Sequence, residues 1–431
     1  MIMKVNNIIL VFFLMVPFFL FSCDGNKSST PLTYEEMTIT LQNELEISRP
    51  AEHVIFTREE IMNLFGEIPA GEVPIFYDEN ETPVTSQADD LDGNGEWDEM
   101  VLLHDFDASS SATFAVRYDA WEDLPDFPVR TNVRLGIKNE SGEFEDVTYE
   151  KRPVDHTKAK PTITYQMEGP AWENDVIAFR TYFDPRNGFD IFGKQTEEMV
   201  MDKVGIEGNY HELQPWGMDV LKVNNSLGAG ALALWHENKL HRLGATDSSK
   251  FQLITEGPVR SIFNMTYEGW QIGNEKIDVT HQISIYAGEY CYQSDVFLSG
   301  FEGEKVLSTG IVNIHSDSLI FTDHGDEYVS IATHDRQSFL EEYLGMGILV
   351  PKDQFIESAK APDEGEGVTQ TYYVTMYAQE NTPVRYYFYA VWEIEDAKWI
   401  DADNFVALLE NEALRRSNPI KILNEQMASE K

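Results

Sequence analysis

The sequence predicts an all-β protein built as a large antiparallel β-sandwich with few short helices. Short segments of alternating apolar and polar residues, separated by Gly, Pro, Asn and Asp, run through most of the 431 residues. This spacing of strands and turns is typical of sheet proteins, and long helical periodicity is rare. With 42% hydrophobic and 12% aromatic residues, the chain is also long enough to bury a large core. These observations together favour a sandwich.

The start of the chain predicts export. A basic residue precedes an apolar run at residues 8–21, which ends in the lipobox LFSC. The run is short for a membrane-spanning helix and is followed at once by polar residues, as in a signal peptide. We predict a signal peptide at residues 1–22, lipidation of Cys23 and a polar tether at residues 23–34. The expected location is the outer membrane, lipid-anchored and facing the periplasm or the cell surface, and an uncleaved anchor helix is the alternative.

A change of composition near residues 128–132 divides the rest of the chain. We predict an N-terminal β module at residues 35–130 and a large β-sandwich with a C-terminal helix at residues 131–425. Two packed sheets within one domain would give a similar pattern, so that alternative stays open. Helical periodicity is clearest at residues 57–65 and 401–416.

Eight segments alternate clearly enough to be predicted as strands. They are residues 112–118, 176–183, 231–235, 260–267, 277–286, 290–298, 371–377 and 385–392. Their number and spacing carry the prediction of a sandwich.

The charge restricts the partners that the protein can have. The chain carries 74 acidic and 32 basic residues, a net charge of −42, so nucleic acid is not an expected partner. An anionic ligand would need a locally positive site on this acidic protein, so each basic residue is a candidate for such a site. Besides Cys23 there is one cysteine, Cys291, so no disulfide is expected within a lipidated chain.

An acidic loop at residues 90–99 predicts a structural calcium site. Asp90, Asp92, Asn94 and Asp98 supply oxygens at four ligand positions of a calcium loop, with glycine at the sixth position. The twelfth position is Val101 in place of the usual glutamate, so Glu99 or a distant ligand would have to complete the site. An acidic hairpin turn without metal is the alternative. No other cofactor is expected.

Two strands place arginine beside tyrosine on one face. Alternation along residues 177–183 sends Arg180 and Tyr182 to the face opposite Ile177, Phe179 and Phe183. The same alternation puts Arg385 and Tyr387 together. Arginine forks bind carboxylates and aromatic rings stack on sugars, so these pairs predict a site for an acidic sugar. Ion pairs with the protein's own acids are the alternative.

The segment NYHELQPWGMDVLKV at residues 209–223 concentrates a histidine, carboxylates and an indole where Pro215 and Gly217 break regular structure. Loops on rigid scaffolds often carry functional groups. We therefore predict functional roles for Tyr210 and His211. A solvent-exposed turn without chemistry is the alternative.

Several stretches carry a family resemblance. They are the acidic turn at residues 87–99, GPAWEND at 169–175 with Arg180, DIFGK at 190–194, Tyr210-His211, and WGMD at 216–219 leading to SLG at 226–228. On these stretches the chain resembles a domain-of-unknown-function family of exported Bacteroidota lipoproteins associated with uronate-polysaccharide breakdown. The resemblance implies a dehydratase acting on ulvan oligosaccharides. Residues 260–298 are similar to galactose-mutarotase-like folds, which implies a galactose-mutarotase-like supersandwich.

The chemistry of β-elimination from a uronate suggests catalytic roles. The C5 proton is weakly acidic beside a carboxylate, so an enzyme must neutralise that carboxylate, remove the proton and protonate the leaving oxygen. Arg180 and Lys194 fit the first task, and Tyr210 and His211 fit the other two in either assignment. Glu212 or Asp219 is expected to orient the histidine.

An anionic oligosaccharide is the expected partner, besides the membrane that holds the lipid anchor. The residues predicted to contact this substrate are Trp172, Tyr182, Arg186, Trp216, Arg385 and Tyr387, because they offer aromatic faces or guanidinium groups. A non-catalytic glycan-binding lipoprotein would use the same residues, and a mutarotase or epimerase would also use a histidine beside a carboxylate. Both stay open as alternatives to the dehydratase.

Overall fold

The computed structural model of the chain describes residues 37–152 and 164–423. The predicted signal peptide, the lipidated Cys23 and the tether lie outside these residues, so export and lipidation stay predictions. Within the described part of the chain, no helix is long and apolar enough to cross a membrane.

Strands make up most of the regular structure. The first fourteen are β1 (Met37–Gln42), β2 (Arg49–Thr57), β3 (Glu72–Tyr77), β4 (Ser86–Asp89), β5 (Glu99–Phe106), β6 (Ser111–Ala120), β7 (Thr131–Arg134), β8 (Gly136–Lys138), β9 (Phe144–Asp146), β10 (Tyr149–Arg152), β11 (Ala171–Asn174), β12 (Ile177–Thr181), β13 (Phe189–Lys194) and β14 (Gly217–Asp219). The others are β15 (Ala233–His236), β16 (Lys239–Arg242), β17 (Ser248–Thr255), β18 (Arg260–Ile272), β19 (Glu275–Tyr286), β20 (Cys291–Ser299), β21 (Glu304–Val312), β22 (Ile320–Asp323), β23 (Tyr328–Asp335), β24 (Leu344–Pro351), β25 (Phe355–Lys360), β26 (Thr371–Gln379), β27 (Val384–Trp392) and β28 (Lys421–Leu423). All eight strand predictions are confirmed within a few residues at each end.

Two α-helices lie in the described chain, α1 (Arg58–Phe65) and α2 (Ala402–Ser417), together with short 3-10 turns at Trp121–Asp123, Gln166–Glu168 and Ala397–Ile400. Both helices were predicted. Thr57 caps α1 through a capping box with Glu60, in which each side chain bonds the other's backbone N–H. Asp401 caps α2 by accepting from the N–H of Asp403.

The sandwich has a nine-stranded sheet on one side, in the order β10-β17-β18-β19-β20-β27-β24-β23-β22. Two five-stranded sheets, β14-β13-β12-β11-β7 and β16-β15-β21-β26-β25, share one large apolar core with it. Strand β27 shows the layering, because Tyr386 and Phe388 face this core whereas Tyr387 and Tyr389 face a second cluster under α2. The predicted all-β antiparallel sandwich is confirmed.

The N-terminal strands form a four-stranded sheet, β28-β1-β6-β3, and a three-stranded sheet, β2-β5-β4. These sheets have an apolar core of their own, with Phe56, Phe76, Trp97 and Phe114 among its members. The last strand of the described chain, β28, returns to pair with β1. The described residues form one compact unit, and the division at residue 130 stays a prediction.

The sheet β14-β13-β12-β11-β7 positions the candidate site. In β12, Ile177 and Phe179 face the large core, as predicted. Ala178 faces a smaller apolar cluster on the outer side, together with Phe192 of β13. Arg180 follows Ala178 on this outer side, so the site is built on the surface of the sandwich rather than in its core.

Candidate functional site

Strand register places a buried arginine against two buried carboxylates. Arg180 of β12 pairs with Asp190 of β13, and the next outward residue of β13, Phe192, pairs with Asp219 of β14. Arg180 Nη2 lies 2.5 Å from Asp190 Oδ2 and 3.4 Å from Asp219 Oδ2. Its Nη1 donates to the Met167 carbonyl at 2.9 Å. One guanidinium therefore faces two carboxylates, which leaves an excess of negative charge.

This excess perturbs Asp190. Burial, with the charge of Asp219 as the second cause, raises the pKa of Asp190 to about 7, although Arg180 opposes the shift. The folded protein therefore binds the Asp190 proton more tightly than the unfolded chain does. The stability that this protonation contributes is present at low pH and is lost as the pH rises from about 4 towards 7. The cluster can store a proton near neutral pH.

His211 lies at the edge of this cluster. Its Nδ1 is 3.3 Å from Asp219 Oδ2, and the imidazole is 51% exposed whereas Asp219 is 3% exposed. Hydrogen bonding with the Asp219 carboxylate raises the pKa of His211, and burial opposes the shift. Because Nδ1 faces the carboxylate, Nε2 is the nitrogen that an external ligand can reach.

The local chain geometry explains how this loop is held. The N–H of Asp219 donates to the Tyr210 carbonyl at 2.8 Å, so the loop is tied to β14. The side chain of Asn209 accepts from the His211 N–H at 3.1 Å. Gly217 has φ of 135°, and a Cβ there would lie 1.8 Å from the carbonyl oxygen of Gly193. Only glycine fits this close approach.

Tyr210 completes the group of proton-carrying side chains. Its ring centroid lies 4.3 Å from that of His211, and Arg180 Cζ lies 5.8 Å from the ring centroid. Burial raises the pKa of the Tyr210 phenol, so this side chain keeps its proton at neutral pH. The structure thus brings together three of the four predicted catalytic residues, Arg180, Tyr210 and His211.

Two side chains near the candidate site were not predicted, Phe339 next to His211 and Lys222 next to Phe339. The ring of Phe339 lies 6.4 Å from the imidazole and is 38% exposed. The Lys222 ammonium lies 4.9 Å from the Phe339 ring centroid, and no carboxylate of the described residues lies within 4.0 Å of it. Lys222 belongs to the segment at residues 209–223, but its charge alone did not distinguish it. Phe339 is remote in sequence and no local pattern marks it.

Lys194 does not reach the site, and its predicted role is wrong. Its ammonium is fully buried, donating to Glu173 Oε2 at 2.8 Å and to the Asn174 carbonyl at 2.5 Å. Arg180 is 1% exposed and is already bound to two carboxylates. The expectation that these two cations contact the substrate carboxylate is corrected, because neither offers a free donor to solvent.

The predicted substrate-binding residues are divided between the site and other places. Trp172 is fully buried among Phe179, Phe189 and Tyr292, so its predicted stacking on a sugar is wrong. Trp216 lies at the site, partly exposed and 6.2 Å from Phe192 between ring centroids. Whether Trp216 contacts a ligand stays a prediction.

Tyr182 and Arg186 also lie beside the buried cluster. The Tyr182 hydroxyl is 3.2 Å from Asp190 Oδ2, and its ring centroid is 4.4 Å from Arg180 Cζ and 4.0 Å from Arg186 Cζ. Arg186 is 48% exposed and pairs with Asp184 and Glu168. Both residues remain available as contacts for a ligand.

Arg385 and Tyr387 lie on the opposite outer face of the sandwich, so their prediction as part of the same site is corrected. Arg385 Nε donates to Asp295 at 2.6 Å. Tyr387 is buried under α2, where Arg416 Cζ lies 3.8 Å from its ring centroid. Alternation correctly put the two side chains on one face, but this face belongs to the nine-stranded sheet.

The acidic loop offers a group that fits a hard cation. Ligand oxygens of Asp90, Asp92 and Asp98 all lie within 4.8 Å of one another, and such oxygens suit Ca²⁺. The Asp90 carboxylate also accepts from backbone N–H groups, among them that of Gly95 at 2.8 Å. Glu99 does not complete the group, because it pairs with Arg260 at 2.7 Å.

The family follows from comparison of the whole sequence. A model of the domain of unknown function DUF4861 matches residues 41–422. The chain belongs to the DUF4861 family. This confirms the predicted membership of a family of unknown function, and ulvan as the substrate of this DUF4861 member stays a prediction.

Similar proteins were found at low identity. "Uncharacterized protein P7" of Formosa agariphila is 22% identical over 417 residues, which cover 90% of this DUF4861 chain and 92% of that protein. An alpha-mannosidase from Enterococcus faecalis superposes with a TM-score of 0.42 at 10% identity, covering 90% of this chain and 45% of that one. A protein assigned as an aldose 1-epimerase from Klebsiella pneumoniae gives 0.31 at 8% identity, covering 66% and 95%. At these TM-scores neither structure assigns an activity to the DUF4861 chain.

We predict that Ca²⁺ stabilises this DUF4861 protein through the acidic loop. At a free Ca²⁺ concentration of about 100 times its dissociation constant, the folded state gains about 2.7 kcal/mol. Thermal unfolding in Ca²⁺ and in EDTA measures this gain. An Asp92→Asn, Asp98→Asn double variant should lose it, and equal unfolding temperatures in the two buffers would contradict the prediction.

Proposed function

We propose that this protein is a carbohydrate-active dehydratase that removes water by β-elimination from the uronic acid of oligosaccharides such as ulvan fragments, giving an unsaturated uronate. One observation carries the proposal. A half-exposed His211 lies beside the buried Asp219 and next to the protonated Tyr210. The His211 ring neighbours the exposed ring of Phe339, against which the exposed Lys222 lies.

His211 acts as the base in this proposal. Its neutral Nε2 takes the C5 proton, and the neighbouring Asp219 stabilises the imidazolium that forms. The electrons of the C5–H bond form the C4–C5 double bond while the C4–O bond breaks. Asp219 raises the pKa of His211, which makes the neutral imidazole a stronger base.

Tyr210 acts as the acid. Burial raises the pKa of its phenol, so it holds a proton that it gives to the oxygen leaving C4, which departs as water. The imidazolium returns its proton to the tyrosinate or to solvent after the product leaves. Because the two rings are neighbours, we propose that proton and water leave from the same face of the sugar.

Lys222 and Phe339 take the tasks for which Arg180, Lys194 and Trp172 were predicted. The Lys222 ammonium neutralises the uronate carboxylate, which makes the C5 proton more acidic. The exposed face of Phe339 packs against the sugar ring. Arg180 acts through Asp219, because it pairs with this carboxylate as well as with Asp190 and holds it in its buried position.

Lys222→Met tests the first of these tasks. We expect kcat/KM for a uronate oligosaccharide to fall roughly 10- to 100-fold, the effect of losing a hydrogen bond to a charged group. Lys352→Met is the matched control, because it removes a lysine that pairs with Asp323 on the nine-stranded sheet. Equal kinetics for the two variants would rule out the role of Lys222.

The deciding experiment for the proposed function is one incubation with saturated uronate oligosaccharides, followed by mass spectrometry and near-ultraviolet absorbance. A dehydratase gives a product that has lost one water and has gained a double bond, with its glycosidic bonds intact. A chain-cleaving lyase shortens the oligosaccharide instead. A mutarotase or epimerase leaves the mass and the absorbance unchanged, and that result would overturn the proposal.

A non-catalytic glycan-binding lipoprotein is the second candidate. The exposure of His211, Phe339 and Lys222 favours it, because binding surfaces for glycans are often shallow and a catalytic site usually excludes water. Such a protein would bind the oligosaccharides and leave them unchanged. In both cases we propose that lipid on Cys23 anchors the protein in the outer membrane.

A further inference from the structure

A cavity of about 360 Å³ adjoins the candidate site and has no role in the proposed reaction. It is lined by Asp184, Pro185, Arg186 and Arg242. Arg186 connects it with the site, because the ring of Tyr182 contacts both Arg186 and the buried Arg180. Its volume is within the range of small-molecule sites. The cavity is thus linked through Arg186 and Tyr182 to Arg180, which pairs with the Asp219 carboxylate beside His211.

The two acidic residues near this cavity are both bonded to Arg186. Both oxygens of Asp184 accept from its guanidinium, at distances of 2.5–3.0 Å. Glu168 accepts from the same side chain at 2.9 Å. Two carboxylates thus share one arginine, and neither is bonded to any other arginine that lines the cavity.

Arg242, at the end of β16, differs from Arg186 in that it has no carboxylate partner among the described residues. Its Nη1 donates to the Ser226 carbonyl at 3.0 Å, and in the part of the chain that the structure describes no carboxylate lies within 4.0 Å of its guanidinium. Burial lowers the pKa of Arg242. A guanidinium carries five N–H donors, so most of the donors of Arg242 are available to a ligand.

Arg152 adds a second cation of this kind near Asp184. It is 5% exposed, its Nη2 donates to Ser249 at 2.8 Å, and its Nη1 has no hydrogen-bond partner. Burial lowers the pKa of Arg152, and the charge of Asp184 opposes this shift. Among these five residues, three arginines stand against two carboxylates, and only Arg186 is paired with them, in a chain of net charge −42.

We propose that this cavity binds a second anionic group of the substrate, a carboxylate or a sulfate ester on the sugar next to the reacting uronate. The proposal rests on the proposed function in placing the reacting sugar at His211. An oxyanion supplies the acceptors that Arg242 lacks, and guanidinium groups bind both kinds of oxyanion through paired hydrogen bonds. Neutral sugars at this position leave the positive excess uncompensated.

The test measures binding without turnover. Isothermal titration of His211→Ala protein uses three uronate oligosaccharides of equal length, whose neighbouring sugar is neutral, sulfated or a second uronate. Adding Arg242→Met should weaken binding of the anionic ligands roughly 10- to 100-fold and leave the neutral one within about twofold. The arm that loses more identifies sulfate or carboxylate as the preferred group.

Arg117→Met is the matched control, because it removes a surface arginine of β6 that pairs with Glu81. Arg242→Lys keeps the charge and should lose less affinity than Arg242→Met, and thermal unfolding verifies that each variant is folded. Equal losses for neutral and anionic ligands, or no loss for either, would overturn the proposal. Wild-type turnover is assayed separately, so an absence of dehydration would reject the proposed function and leave this binding result to be judged alone.

Discussion

Replacing Glu173 by alanine should destabilise the protein by about 3–5 kcal/mol, the usual cost of removing one partner from a buried ion pair. Glu173 is fully buried, and its Oε2 binds the Lys194 ammonium at 2.8 Å. Its Oε1 accepts from the N–H groups of Val200 and Met201 at 2.8 and 2.7 Å. The variant leaves an ammonium and two backbone donors without these acceptors, and each lost bond adds a desolvation penalty.

Urea unfolding followed by tryptophan fluorescence measures this effect. Lys194→Met is the matched variant, and we expect it to cost less than Glu173→Ala, because Glu173 keeps its two backbone donors and the side chain of Asn132. A smaller loss for Glu173→Ala than for Lys194→Met would show that the ammonium, and not the carboxylate, organises this part of the fold.

Replacing His211 by alanine should reduce turnover roughly 10²- to 10⁴-fold, the range that general acid–base catalysis contributes. The imidazole is half exposed, so the melting temperature should change little. Initial rates of double-bond formation, with thermal unfolding as the control for folding, measure both quantities. Full activity in both His211→Ala and Tyr210→Phe would exclude this pair as the acid and the base.

The pH dependence gives a second readout of the same group. A base must be neutral, so activity should rise as the pH rises through the pKa of His211. The Asp219 carboxylate raises this pKa, and Asp219→Asn should therefore move the rising limb to lower pH while it lowers the maximal rate. Glu212→Gln is the matched control, because Glu212 accepts from Asn209 at 3.0 Å and not from the imidazole. An unmoved limb in Asp219→Asn would contradict the prediction, because it would assign the titration to a group whose pKa does not depend on Asp219, which excludes both His211 and Asp190.

The fold was predictable because its signal is local. A strand has a two-residue period of apolar and polar residues, so the strands around Phe179, Phe263 and Phe388 were found, and for the strand around Phe179 also the side that faces the core. The helices at Arg58–Phe65 and Ala402–Ser417 were found from their helical periodicity, and the structure adds that Thr57 and Asp401 cap them. Alternation says which residues share a face, but it does not say what covers this face.

That limit explains each incorrect prediction of a site residue. Tyr387 and Arg180 are both outward-facing strand residues, yet helix α2 covers one and a cluster of carboxylates encloses the other. Lys194 forms a buried ion pair with Glu173, which lies on a different strand. Phe339 came to His211 from a distant segment, and no spacing in the sequence connects the two.

By itself, the amino-acid sequence determined the antiparallel strands, both helices, the acid-rich charge balance and the irregular loop that carries Tyr210 and His211. Only the tertiary structure decided which lysines and arginines form internal ion pairs. It also decided that Asp190 and Asp219 share Arg180 and that Arg242 has no carboxylate beside it among the described residues. The physical reason is that period and capping act between neighbours along the chain, whereas burial, pKa and charge pairing depend on atoms that the fold brings together from distant strands.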